Sequence, residues 1–271
     1  MAAFVGRPHS SQGATELSEL SSGDQEQSKW IQRFHPAPDT RTRLVCFPYA
    51  GGSASYFHGV SAALSPAVEV LAIQYPGRQE RRTEPLLHSV ETLAQRAAEA
   101  LRPWADRPLT LFGHSMGALV AFEVARRLTD DGAAPLSVVV SGRRAPTRVR
   151  EESVHLRDDQ GVVAEMELLG GSDLRVFQDH ELRALFLPVI RADYQAVETY
   201  RYRPGPPLPC PVLALLGDRD PMATVEETHD WAAHTSAGFA LRTFPGGHFY
   251  LNSQAPTVIA AIRDHIGPLV G

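Results

Sequence analysis

The chain has 271 residues, 43% of them hydrophobic, and a formal net charge of −5. That length suits one α/β domain with an insertion, and the apolar fraction supplies a substantial core. The acidic balance argues against a nucleic-acid partner, which favours a basic chain or patch, and two cysteines are too few for a metal cluster or a disulfide framework.

The opening apolar run, Met1 to Val5, is too short for a signal peptide, and residues 8–29 are rich in Ser, Gln, Glu and Gly. Residues 1–33 therefore read as a flexible tail. Order is expected to begin near Trp30 or Phe34, in a domain spanning residues 34–268. No apolar run reaches the length of a membrane span, so a cytoplasmic protein with reduced thiols and no membrane partner is expected.

The run Arg43 to Phe47 reads as a buried strand ended by Pro48 and the turn-forming pair Gly51-Gly52. A helix is expected over roughly 54–64, a strand over 68–73 closed by Pro76-Gly77, and a helix over roughly 89–101. Leu109-Thr110-Leu111-Phe112 is the next strand. Gly113-His114-Ser115-Met116-Gly117 follows it. Residues 118–128 then carry Leu119, Val120, Val124 and Leu128 at helical spacing, with Arg126 and Arg127 off that stripe. Strand, sharp turn and helix, in that order, form the context of a nucleophile elbow. The glycines two residues either side of Ser115 let backbones approach where a side chain would clash. The serine oxygen then emerges at the N-terminus of the helix, where free N–H groups and the helix dipole favour developing negative charge.

Further strands are expected at 136–140, 212–216 and 239–244, and a last helix at 257–266. Strands separated by helices indicate a mainly parallel sheet covered on both faces, an α/β fold. About seventy residues after the 136–140 strand contain no convincing strand, too many for a structureless loop. Helical patterning at 162–169 and 181–200 points to a helical insertion over the sheet edge, at about 145–205, with Pro188 kinking or splitting its second helix. Its apolar side chains (Met166, Leu168, Phe177, Leu185, Phe186 and Ile190 among them) either line an acyl pocket or pack the insertion onto the body. For most of them packing is the default.

A serine hydroxyl is a weak nucleophile that needs a base, and the base needs an orienting acid. With an elbow, the chain order is Ser, then Asp or Glu, then His. Of eleven histidines, six follow the elbow. His155 and His180 precede the later strands, His229 and His234 lie on a helical stretch, and His265 packs in the last helix. His248 differs: it stands in Pro245-Gly246-Gly247-His248-Phe249, a loop just past a strand, at the sheet edge where Ser115 also emerges. His248 is the expected base. Asp218 and Asp220 both follow the 212–216 strand. Asp220 is favoured as the acid because Pro221 ends the turn there, with Asp218 as its competitor. The loop one strand earlier, Ser141-Gly142-Arg143-Arg144, offers no carboxylate. The oxyanion donors are expected to be the backbone N–H groups of Met116 and Ala50, with Tyr49 as a neighbouring alternative.

Five stretches together resemble the type II thioesterases, the stand-alone editing enzymes of polyketide and nonribosomal peptide assembly lines. They are Phe47 to Gly52, Gln74 to Arg78, Gly113 to Gly117, Ser141 to Arg143 and Pro245 to Phe249. The resemblance covers roughly residues 34–268. It implies an α/β-hydrolase fold with a helical lid, and hydrolysis of aberrant or stalled acyl thioesters on the phosphopantetheine arm of acyl carrier proteins. It carries over Ser115 as nucleophile, Asp220 as acid, His248 as base, and Ala50 and Met116 as oxyanion donors. It implies no metal and no bound cofactor, since phosphopantetheine arrives on the partner. A monomer is expected. The stretch Asp193-Tyr194 to Arg201-Tyr202 looks more like the polyketide members. Carrier proteins are usually acidic, which makes Arg78, Arg81, Arg82, Arg143 and Arg144 candidates for a basic docking rim. The same fold and triad would also serve a general esterase, lipase or peptidase, and the fold alone a non-catalytic binding module.

Overall fold

Five short strands of this chain are buried on both faces, which is why they read as unbroken apolar runs. The computed structural model describes residues 29–170, 177 and 179–270. Its sheet has seven strands: β1 (Ile31–Gln32), β2 (Arg43–Phe47), β3 (Glu69–Ile73), β4 (Leu109–His114), β5 (Ser137–Ser141), β6 (Val212–Gly217) and β7 (Phe239–Phe244). Their spatial order is β1-β3-β2-β4-β5-β6-β7. All neighbours run parallel except β1, which pairs antiparallel with β3 through Ile31 opposite Ile73. An expected tail through residue 33 is therefore too long. Trp30 is buried and Ile31–Gln32 is the sheet's first edge, so residues 30–32 belong to the body. Residues 1–28 lie outside the described residues.

Among the described residues eight α-helices connect or follow the strands: α1 (His58–Leu64), α2 (Val90–Leu101), α3 (Met116–Asp130), α4 (Asp159–Leu169), α5 (His180–Thr199), α6 (Val225–His229), α7 (Tyr250–Ser253) and α8 (Ala255–Ile266). Leu93, Leu101, Leu119 and Val124 of α2 and α3 join one buried cluster against the sheet. Leu64, Tyr250, Val258 and Ile262 of α1, α7 and α8 join a second on the opposite face. The chain runs outward from β2 to β3, then crosses back to β4 on the other side of β2. The order reverses there, and the loops leaving the C-terminal ends of β2 and β4 diverge to opposite faces. Such a switch point is where open α/β sheets make their binding crevice.

The long interval before β6 is helical, as its patterning indicates. Pro188 does not split α5: the helix continues through it from Asp179, whose carboxylate caps it by accepting from the N–H groups of Glu181 and Leu182. The insertion has its own small core of Val154, Val162, Met166, Phe177, Leu187, Ile190 and Tyr194. Met166, Phe177 and Ile190 are thus packing residues, while Leu168, Leu185 and Phe186 are exposed. Cys46 on β2 and Cys210 before β6 are buried and unpaired.

Glu69 places a charge at the buried start of β3. Arg43 donates to it at 3.0 Å and Arg33 at 2.9 Å. Burial pushes its carboxyl pKa up, but the hydrogen bonds from Arg43 and Arg33 outweigh that and leave it below the ordinary value. A carboxyl with a depressed folded-state pKa contributes stability above its unfolded pKa and loses it as pH falls through the folded one. Unfolding free energy is therefore expected to drop on acidification below pH 4.5, the unperturbed Glu value. Glu69→Gln should cost roughly 3 kcal/mol near neutral pH and flatten that acid limb, as measured by denaturant unfolding across a pH series.

Candidate active site

Ser115 stands between β4 and α3 with φ 55° and ψ −114°, a conformation that a non-glycine residue holds only when its surroundings force it. The force is steric. A Cβ on Gly113 would lie 1.9 Å from the Gly117 carbonyl oxygen, and one on Gly117 would lie 2.1 Å from that of Phe47. Only bare backbone passes here, so α3 starts hard against the end of β2. The Ser115 N–H donates to the Ser141 carbonyl at 2.8 Å, tying the elbow to β5. Met116 is the first residue of α3, and its N–H has no partner among the described residues.

Beside it, Tyr49-Ala50-Gly51-Gly52 forms a tight turn closed by the Gly52 N–H on the Tyr49 carbonyl at 2.9 Å. Gly51, in third position, has φ 78°, the mark of a type II turn. Its N–H donates to Asp193 Oδ2 at 2.7 Å, and that of Ala54 donates to Gln74 Oε1 at 2.8 Å. The N–H groups of Ala50 and Tyr49 remain without partners among the described residues. The expected donor Ala50 is therefore available, with Tyr49 beside it.

His248 and Asp220 are buried together, and His248 Nδ1 lies 3.0 and 2.9 Å from the two carboxylate oxygens. Nδ1–H is the donor to that acceptor-only group, which leaves Nε2 as the basic nitrogen. Asp220 Oδ1 also accepts from the Met222 N–H at 2.8 Å. Asp218, the competitor, does something else: it accepts from the Gly246 N–H at 2.9 Å and braces the loop that carries the histidine. The His248 ring centroid is 4.9 Å from that of His114, the residue before the serine. The Ser115 hydroxyl itself makes no hydrogen bond among the described residues, and contacts of this kind tighten when substrate enters.

Sequence reasoning missed what surrounds these groups. His114 is fully buried; its Nδ1 lies 3.0 Å from Ser141 Oγ, which lies 2.6 Å from the Tyr250 hydroxyl. Burial, and after it the neighbouring charge of His248, push its pKa well below the ordinary histidine value. The same burial favours the neutral form of His114. Gly142, at φ 58°, fits between the two acid–base layers: a Cβ there would lie 2.7 Å from His114 Cε1 and 3.3 Å from Asp220 Oδ2. The only prior signal was that His114 and Gly142 stand inside the Gly113–Gly117 and Ser141–Arg143 stretches.

The arginine rim is corrected. Arg78, Arg81, Arg143 and Arg144 are buried, and of the five only Arg82 is exposed. Arg81 bonds Glu84 at 2.6 Å and the Gln74 carbonyl at 2.7 Å, and Arg144 bonds Glu152 at 2.6 Å. Burial, with Arg144 beside it, lowers the Arg143 pKa to about 10. The Arg78, Arg81 and Arg144 guanidinium groups are internal staples, while the buried Arg143 Nε makes no hydrogen bond among the described residues. A cavity of about 580 Å³ lies between α1 and α8, but none of Ser115, Asp220 or His248 lines it.

A mostly parallel sheet with helices on both faces and a serine on the β4–α3 elbow defines an α/β hydrolase. A family model described as a thioesterase domain matches residues 42–266. The chain is 53% identical over 239 residues to thioesterase PikA5 of Streptomyces venezuelae, covering 88% of this chain and 85% of that one. It is 47% identical over 251 residues to a probable cadicidin biosynthesis thioesterase of Streptomyces griseus, covering 93% and 70%. Among solved structures, the type II thioesterase BorB from the borrelidin biosynthetic cluster superposes with a TM-score of 0.82 at 48% identity, over 88% of this chain and 97% of that one. The chain belongs to the thioesterase family. It is a thioester hydrolase of the type II kind that its motifs resemble.

The elbow's steric origin is open to a direct check. Gly117→Ala is expected to destabilise the fold by at least about 2 kcal/mol and to lower activity, because the only relief is to move the backbone of Phe47 and Pro48. Thermal unfolding and turnover of the same preparation measure both.

Proposed function

We propose that this protein clears aberrant or stalled acyl groups from the phosphopantetheine arm of acyl carrier proteins in a polyketide or nonribosomal peptide synthase. One observation carries the catalytic part: the buried Asp220–His248 pair lies against the elbow of Ser115, while the N–H groups of Ala50 and Met116 have no hydrogen-bond partner among the described residues. The substrate class is supported by relatives named for such pathways, among them YbtT, a type II thioesterase from the yersiniabactin NRPS/PKS biosynthetic pathway, at 35% identity and TM-score 0.81 over 89% of this chain and 100% of that one.

In this mechanism His248 Nε2 takes the proton of Ser115 as its oxygen attacks the thioester carbonyl. Asp220 holds the ring and stabilises the imidazolium. The oxyanion forms between the N–H groups of Ala50 and Met116, each worth on the order of 3 kcal/mol in the barrier. Collapse breaks the C–S bond, and His248 returns its proton to the departing pantetheine sulfur. Water, deprotonated by His248, then attacks the acyl-serine, and the acid leaves as Ser115 regains its proton. The working unit is the body from Trp30 to about residue 268 with its helical insertion, acting as a monomer. The chemistry draws on no bound cofactor of its own, since the pantetheine belongs to the carrier. A cytoplasmic setting suits such a partner. Among the described residues no helix is long and apolar enough to cross a membrane.

A panel of acyl groups loaded on carrier proteins tests this. Carrier-bound thioesters should be hydrolysed far faster than simple oxoesters or amino-acid amides, and Ser115→Ala should reduce turnover to background. Equal or better activity on carrier-free oxoesters would make the protein a general esterase. Turnover that survives Ser115→Ala would exclude the serine mechanism. The two aspartates separate in the same assay: Asp220→Asn is expected to lower kcat by about four orders of magnitude, whereas Asp218→Asn keeps an acceptor for Gly246 and should stay within about threefold of wild type.

A further inference from the structure

The insertion helix α5 touches the oxyanion turn directly. Ile190 and Asp193, three residues apart, share one helical face, and both meet Gly51. A Cβ on Gly51 would lie 2.8 Å from Ile190 Cγ1, and the Gly51 N–H donates to Asp193 Oδ2 at 2.7 Å. Ala50 packs against the insertion's own core. Asp193 is almost fully buried and forms an ion pair with Arg78, also buried. That guanidinium donates to the Gly52 carbonyl at 2.8 Å and to the Pro76 carbonyl at 2.8 Å, and its centre lies 5.2 Å from the Tyr75 ring. On either side of Ala50–Gly51 the turn is therefore held by groups that are not part of it.

We infer that Asp193 and Arg78 are positioning residues for the oxyanion hole, linking the helical insertion to the reacting carbonyl. The inference rests on the serine mechanism proposed above. A type II turn is defined by the orientation of its middle amide, whose N–H is that of Gly51. A buried carboxylate accepting from that N–H locks the orientation, and Arg78 neutralises the carboxylate while gripping the next carbonyl. With the Gly51 N–H engaged by Asp193 and the Gly52 N–H closing the turn, the Ala50 N–H stays free and fixed for charge that develops only in the transition state. The electrostatic gain of such a donor depends on its being in place beforehand. Any shift of α5 as acyl groups enter moves Asp193 and Ile190 together, and so moves the turn.

The test compares wild type with Asp193→Ala, Asp193→Asn and Arg78→Lys on a carrier-bound acyl substrate. Active sites are counted by titration with a serine-directed fluorophosphonate, so that loss of folded protein is removed from kcat. Asp193→Ala should lower kcat about 100-fold, the scale of a misplaced oxyanion donor, with KM within about twofold. Asp193→Asn still accepts from Gly51 but no longer neutralises Arg78, and should fall in between, at about tenfold. Arg78→Lys keeps a charge without the forked grip and should resemble it. Binding provides the second readout. An acyl trifluoromethyl ketone, which forms an oxyanion on the enzyme, should lose affinity by the same factor as kcat. A non-hydrolysable thioether analogue should bind unchanged. An unchanged kcat per active site, or an equal loss of affinity for both ligands, would overturn the inference and leave Asp193 a structural residue. Failure of the mechanism itself has a different signature: wild type would bind the ketone no better than the thioether, and Ser115→Ala would keep its turnover.

Discussion

The carbonyl oxygen of Phe47 leaves no room for a side chain on Gly117, and the arrangement of the site follows from that contact. It brings the first turn of α3 against the end of β2, so the elbow meets the start of the β2 loop before the two connections part to opposite faces of the sheet. It also holds Ser115 at positive φ, since the chain has no other route from β4 into the helix. The strain at the serine and the close approach of α3 to the end of β2 share one cause. Neither could be relaxed without moving a central strand.

Around that point the protein uses buried charge as scaffolding. Arg78, Arg81 and Arg144 each reach a carboxylate and at least one backbone carbonyl, and Arg43 does the same beneath the sheet edge. A buried arginine of this kind fixes loops that have no regular hydrogen bonding of their own, because its planar fork satisfies several acceptors at once. Removing one partner leaves the other desolvated and unpaired, so these staples resist local opening more strongly than their net contribution to stability implies. The loops that Arg78, Arg81 and Arg144 fix leave the C-terminal edge of the sheet, where exact position matters most, while Arg43 braces the opposite edge.

Much of this was legible in the sequence where a signal is local. Five strands buried on both faces gave apolar runs, and the elbow, the Gly-Gly turn and the Gly-Gly-His loop gave their punctuation. Asp220 and His248 followed from chain order at the strand ends. What escaped lacked a local signal. A two-residue strand such as Ile31–Gln32 is too short to show a period. Pro188 looked like a breaker, yet Leu187 and Ile190 beside it pack into the insertion's core, and tertiary contact overrode the local preference. The charge of an arginine says nothing about whether it faces solvent, so the supposed rim turned out to be internal. Asp193 was invisible as a partner of Gly51 because 142 residues separate them. His114 could be placed next to Ser115 but not against Tyr250, which arrives from the far end of the chain.

Both cysteines of the chain are buried. Desolvation pushes the Cys46 thiol well above its ordinary pKa and that of Cys210 up to about 11. The reaction proposed here liberates a pantetheine thiol at every turnover, and a mixed disulfide with the enzyme would need an accessible thiolate to form. This fold offers none. An enzyme that works among free thiols is built so that its own sulfur takes no part in exchange with them.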